Sequence, residues 1–146
     1  MTENRHFVTS VSLIPPGQVV SVLPAVVPFL QIAADTTEGR KTADDVLRPV
    51  LDGSMNLWVV HTDGDVHGML VTEVRQYADM RMLVVQHCAM LPGTLASVED
   101  EMQEVAARFA RDAGCAGMEF VGRPGWRQTA KKYGYEVRSV TYHKLI

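Results

Sequence analysis

The side chains able to do chemistry are few and scattered: Glu73, His61, His67, His87, Cys88 and Cys115. A carboxylate or imidazole on a rigid element can take a proton from a reacting group. Glu73 and His87 both stand in apolar runs that read as central strands. For each the alternative is a solvated or hydrogen-bonded strand residue. The spacing of His61, His67 and His87 matches no ligand motif, so no metal is expected. Cys88 lies in an apolar run, where burial raises a thiol pKa and no base is placed beside it by the sequence. A thiolate nucleophile is not expected there.

A second group of residues sits in "EFVGRPGWRQTAKKYGYEV", Glu119 to Val137. Trp126, Ala130 and Tyr133 fall at i, i+4 and i+7 and share one helical face. Arg127 and Lys131 form a separate stripe, and Arg123 sits at the turn. This pattern is either a packed face beside a solvated one, or a surface that docks an anion: a cofactor phosphate, nucleic acid or an acidic partner. From Arg123 onward six Lys/Arg stand against Glu136, so this end carries +5 and the first 122 residues carry −8 of a net −3. A basic end on an acidic body can hold an anion or an acidic partner. Nucleic acid is not expected, because the aromatic residues there read as buried.

The elements that must position these groups follow from periodicity and punctuation. Phe7 to Ile14 reads as a strand stopped by Pro15-Pro16-Gly17. Val19 to Ala34 reads as a buried, kinked helix with prolines at 24 and 28, too short to span a bilayer. Thr42 to Asp45 fits a capping box that opens a short helix closed by Gly53. Asn56 to His61, Val66 to Val74 and Arg81 to Met90 form a meander, its first hairpin turning at Thr62-Asp-Gly-Asp65. Ser97 to Asp100 resembles another capping box, before a helical stripe of Val98, Met102, Val105, Ala106, Phe109 and Ala110 that ends at Gly114. Ala116 to Val121 reads as a strand, Pro124 to Tyr133 as a helix and Tyr135 to Leu145 as a last strand. The order is β-α-α-β-β-β-α-β-α-β, an α/β (α+β) fold with a mixed, mainly antiparallel sheet and helices on both faces.

Composition agrees with one globular domain over residues 1–146: 47% hydrophobic and 21% charged. Two cysteines without framework spacing imply free thiols in a reducing compartment. The opening MTENRHF lacks the basic-then-apolar pattern of a signal peptide.

The order, the hairpin "HTDGDVHGMLV", the segment "FARDAGCAGMEF" and the joint "YGYE" resemble the GNAT (acyl-CoA N-acyltransferase) superfamily. "LDGSMNLWVV", "VTEV", "ARDAGCAGMEFVGRPGW" and "KKYGYEV" resemble the small GNAT-like proteins of tailed-phage genomes, including internal-virion-associated proteins of T7-like podophages. The likeness covers roughly residues 50–137.

In active members the loop after the fourth strand carries a Gln/Arg-x-x-Gly-x-Gly/Ala motif, whose backbone N–H groups hold the CoA pyrophosphate. Here the loop reads "AMLPGTLASVEDE", with Gly93 as its one glycine. The resemblance thus implies Gly93, Thr94, Leu95 and Ala96 as N–H donors and Arg127 as counter-charge, should acetyl-CoA bind. Glu99, Asp100 and Glu101 are expected in the first helical turn, where they would repel a pyrophosphate. The usual general-acid tyrosine falls at Ala130, and Glu73 and His87 are the candidates for the base.

The reading is a phage-encoded GNAT-like module with a degenerate acetyl-CoA motif. It would need no cofactor, and would act in the virion or through a phage or host protein partner. The alternative is an active acetyl-CoA-dependent N-acyltransferase that modifies an amine on a host protein or small molecule. The location implied is the host cytoplasm or the phage virion, without a membrane span.

Overall fold

The structure, a computed structural model, describes residues 9–146. Strand β1 (Thr9–Leu13) is followed by a 3-10 turn and then α1 (Val19–Asp35) and α2 (Ala43–Leu51). Next come β2 (Asn56–Thr62), β3 (Asp65–Gln76) and β4 (Arg81–Met90), then α3 (Thr94–Asp112), β5 (Gly117–Phe120) and α4 (Arg127–Lys132). The sheet runs β1-β2-β3-β4-β5. The first three pairings are antiparallel, and β4 with β5 is parallel. Phe7 and Val8 of the expected first strand lie outside the described residues.

Strand alternation sorts the core into two layers. Leu57, Val59, Met69 and Val71 face α1 and α2, where Val26, Phe29, Leu30, Val46 and Val50 are buried against them. Trp58, Val60 and Leu70 face the other way, onto Val98 and Met102 of α3. Helices therefore cover both faces, as the residue pattern requires.

Local signals explain most boundaries. Thr42 Oγ1 accepts from the Asp45 N–H at 3.2 Å and Asp45 Oδ2 accepts from the Thr42 N–H at 2.9 Å, completing the capping box. Helix α1 runs 20 residues with its 3-10 turn, so the expectation that it is too short to span a bilayer is corrected: by length and composition it is long and apolar enough to cross one. It is a core helix instead, with Val26, Phe29, Leu30, Ala33 and Ala34 buried on the sheet. Pro24 and Pro28 lie together on its exposed side. The carbonyls that lose a donor there face water, so the helix is not broken.

Two elements differ from the sequence reading. Helix α3 begins at Thr94, one turn before the expected box. Gly93, at φ 81°, turns the chain straight from β4 into the helix, and Ser97 Oγ bonds back to the Thr94 carbonyl at 2.8 Å instead of capping. The expected last strand does not pair within the chain: residues 135–146 join no ladder. The helix before it ends as expected at Gly134. Its Schellman bonds run from Tyr135 N–H to Ala130 C=O at 2.9 Å and from Gly134 N–H to Lys131 C=O at 3.1 Å.

Candidate functional site

A cleft opens where β4 and β5 part. Their pairing ends at Val85 opposite Phe120. Beyond that point the β5-facing edge of β4, from Gln86 to Met90, has no strand beside it among the described residues. A bulge marks the same place: Val71 pairs with His87 and Thr72 with Val85, so Gln86 is the extra residue. A bulge of this kind bends the strand and re-aims its side chains. The resulting cavity is about 160 Å³. Its walls include Gln86, His87 and Cys88 of β4, Met102 and Gln103 of α3, Phe120 of β5, Trp126 and Ala130 of the α4 corner, and Tyr135.

His87 is buried in this wall, 8% exposed. Burial first, and the Lys41 charge second, lower its pKa to about 4. The imidazole is therefore neutral at pH 7, and burial makes it a weak base that would hold a proton only in passing. Cys88 beside it is pushed up to about 12 by burial, so it remains a thiol.

Glu73 lies on β3 outside the cavity wall. Its Oε2 accepts from Arg75 Nη2 at 2.9 Å and from Gln86 Nε2 at 2.8 Å. It reaches the cleft only through Gln86, whose amide it orients. His61 is committed elsewhere: its Nε2 lies 2.7 Å from Ser12 Oγ. No group of three or more His, Cys, Asp or Glu among the described residues is placed to hold a metal ion.

The start of α3 follows β4 in the chain, and Gly93, Thr94, Leu95 and Ala96 are not in the cavity wall. Gly93 is the N-cap, and the first turn, Thr94 to Ser97, carries no carboxylate. Thr94 N–H is spent on the Leu91 carbonyl at 3.1 Å. The N–H groups of Leu95 and Ala96 have no acceptor within the helix and present the positive end of its dipole. The expectation of an acidic first turn is thus corrected. Glu99 and Asp100 stand one turn further on and are occupied. Glu99 accepts from Lys132 Nζ at 2.7 Å, and Asp100 accepts from the Tyr133 hydroxyl. Arg127, the first residue of α4, is exposed and is not in the cavity wall.

Ala130 does face the cavity, as a methyl where the resemblance would put a phenol. A phenol reaches the cleft from another position. Tyr135 lies in the wall, and its hydroxyl donates to Gln103 Oε1 at 2.8 Å. Burial keeps its pKa above the usual phenol value despite that bond. Tyr135 and Gln103 were not singled out in the sequence. The helix-ending Gly134 was the available signal, because it fixes where the next side chain goes.

The cleft offers a neutral imidazole, a protonated hydroxyl and an open strand edge, and the free N-terminus of α3 follows that edge in the chain. An open edge can bond to amides of an extended ligand, and a helix start can bind phosphate.

No protein-family model matches the chain, and no curated protein matches it. Solved structures do, and they define the class of fold. An aminoglycoside N-acetyltransferase, AAC(6')-Iy, in complex with CoA superposes with a TM-score of 0.72 at 13% identity, over 98% of this chain and 99% of that one. A predicted acetyltransferase from Clostridium acetobutylicum, with acetyl-CoA, gives 0.65 at 9% identity, over 94% and 96%. A ribosomal-protein-alanine N-acetyltransferase from Brucella melitensis gives 0.63 at 12%, over 94% and 99%. The chain has the fold of these acetyltransferases, the GNAT fold.

Proposed function

We propose that this protein is an acyl-CoA-dependent N-acyltransferase acting on an amine. The observation that carries this reading is the parting of β4 from β5 at Val85 and Phe120, with the bulge at Gln86 and an α3 whose first turn, next in the chain after β4, carries no carboxylate. An acyl thioester would lie with its amides along the open β4 edge and its pyrophosphate toward the Leu95 and Ala96 N–H groups. The amine would attack the thioester carbonyl in its neutral form, the N–H proton shed as the C–N bond forms would pass to His87, and Tyr135 would give a proton to the thiolate as the C–S bond breaks. Gln86, held by Glu73, would fix the edge against which the carbonyl sits.

One observation favours a second reading. Ala130 puts a methyl in the cleft where a catalytic hydroxyl is expected by resemblance, which supports a fold that binds a partner without efficient transfer. A particle-associated role has the phage resemblance as its support. Mass spectrometry of purified virions tests it, and absence of the chain from particles removes it.

Calorimetry with acetyl-CoA and with CoA separates the two readings. Micromolar binding of acetyl-CoA, with free-thiol release in the presence of an amine, is expected. No binding at millimolar ligand would overturn the transferase reading.

A further inference from the structure

The cleft reverses the sign of the body around it. The chain before Arg123 is acidic. Yet among the described residues the cavity wall holds no Asp or Glu, and its one formal charge is Arg123. The carboxylates on the strands behind the wall are engaged. Glu73, behind Gln86, pairs with Arg75 at 2.9 Å, and Glu119, before Phe120 on β5, accepts from the Tyr77 hydroxyl.

A second cation stands at the His87 end. His87 pairs with Val71, whose side chain faces α1 and α2, so the imidazole shares that face. The loop joining those helices reaches the cleft there, and Thr36 lines the wall. The loop is pinned. Thr36 Oγ1 donates to the Ala33 carbonyl and Thr37 Oγ1 to the Ala34 carbonyl, each at 2.7 Å, and Lys41 N–H donates to Thr37 Oγ1 at 2.9 Å. Arg40 Nη1 adds a bond to the Thr37 carbonyl at 3.2 Å. Lys41 is half-buried, and its charge acts on the His87 ring. The acids nearby in the chain leave that charge standing: Asp35 accepts from Gln31 Nε2, Asp45 from the Thr42 N–H, and Glu38 is exposed and outside the wall. Neither Lys41 nor Arg123 is in an ion pair among the described residues.

Positive charge around a neutral imidazole selects what approaches it. A second ammonium on the acceptor would be repelled, and a carboxylate or phosphate would be drawn in. The same field lowers the pKa of the reacting ammonium, which favours the neutral amine that attacks. We propose that the acceptor is a small amine that carries its own anionic group, a carboxylate or a phosphate, which Lys41 holds beside His87 while Arg123 adds positive field across the cleft. The assignment rests on the transferase reading and names its substrate class.

Rates of thiol release from acetyl-CoA test it on amines matched in length: γ-aminobutyrate, butylamine and putrescine. Phosphoethanolamine against ethanolamine separates phosphate from carboxylate. For at least one anion, kcat/KM is expected to be on the order of tenfold above that of the neutral partner, with putrescine lowest. Lys41→Gln should bring that ratio close to one, and Lys41→Glu should rank putrescine first. Each ratio is taken within one protein, so changes in His87 or in folding cancel. No lead for either anion, or a lead untouched in Lys41→Glu, overturns the proposal and leaves the transferase standing. Release with no amine at all counts against transfer itself. Ligand-detected NMR of the same amines then decides the charge preference, which stands only if an anionic amine binds best and loses that lead in Lys41→Glu.

Discussion

The Tyr135 hydroxyl donates to Gln103 Oε1 at 2.8 Å, joining the residue after the α4 cap to the middle of α3. This bond points a protonated phenol into the cleft that Ala130 leaves without one. Tyr135→Phe should lower the rate of thiol release on the order of a hundredfold, a typical loss for a general acid. Acetyl-CoA affinity should be unchanged. Burial raises the phenol's pKa, so the wild-type activity should hold to above pH 10 before falling, and the variant should lack that limb. An unaltered rate would remove Tyr135 from the chemistry.

His87 ties stability to pH. An unfolded chain takes up this proton near 6.5, the folded chain near 4. Between those values the unfolded state holds more protons, so stability is complete above pH 6.5 and declines as pH falls towards 4. The loss attributable to this one group approaches about 3 kcal/mol at the acid end. His87→Leu should remove that part of the decline. Urea unfolding of both proteins at neutral pH and near pH 4 reads the difference, and equal declines would contradict it.

The free start of α3 gives opposite predictions for ligand and fold. Ala96 is exposed in the first turn, with no carboxylate around it. Ala96→Glu places one against the dipole and should stabilise the protein by about 0.3–1 kcal/mol. The same charge would repel a pyrophosphate, so acetyl-CoA should bind on the order of tenfold more weakly. Thermal unfolding and calorimetry are both needed. Weaker binding together with lower stability would point to simple misfolding of the turn.

What could be read from the residues alone depended on range. The Thr42–Asp45 box and the Asp63-Gly64 turn, with φ of 52° and 89°, are written within a few residues, and both form as expected. The two core layers were legible because alternation at Leu57 to Val60 requires them. Ser97 to Asp100 misled for the same reason: a local pattern resembled a box, while the left-handed Gly93 that starts α3 leaves no such mark. The cleft was less legible still. His87 was visible as a residue type, but the parting of β4 from β5 and the bulge at Gln86 are relations between strands. Residues 135–145 had the composition of a strand, and a strand exists only where an edge accepts it.

Trp58 shows how the layer beneath the cleft is specified. Its Nε1–H donates to Thr72 Oγ1 at 2.9 Å, and both residues are buried, at 3% and 0% exposure. Its ring also meets Phe109 edge-on, 5.3 Å between centroids at 82°. Trp58→Phe keeps an aromatic there but leaves a buried hydroxyl without its donor, which should cost about 1–3 kcal/mol. Thr72→Val strands the indole N–H instead and should cost a similar amount. In the double variant nothing polar remains unpaired, so its loss should be smaller than the sum of the two. Chemical denaturation of the four proteins closes the cycle. Strict additivity would mean that the Trp58–Thr72 bond contributes nothing to the fold.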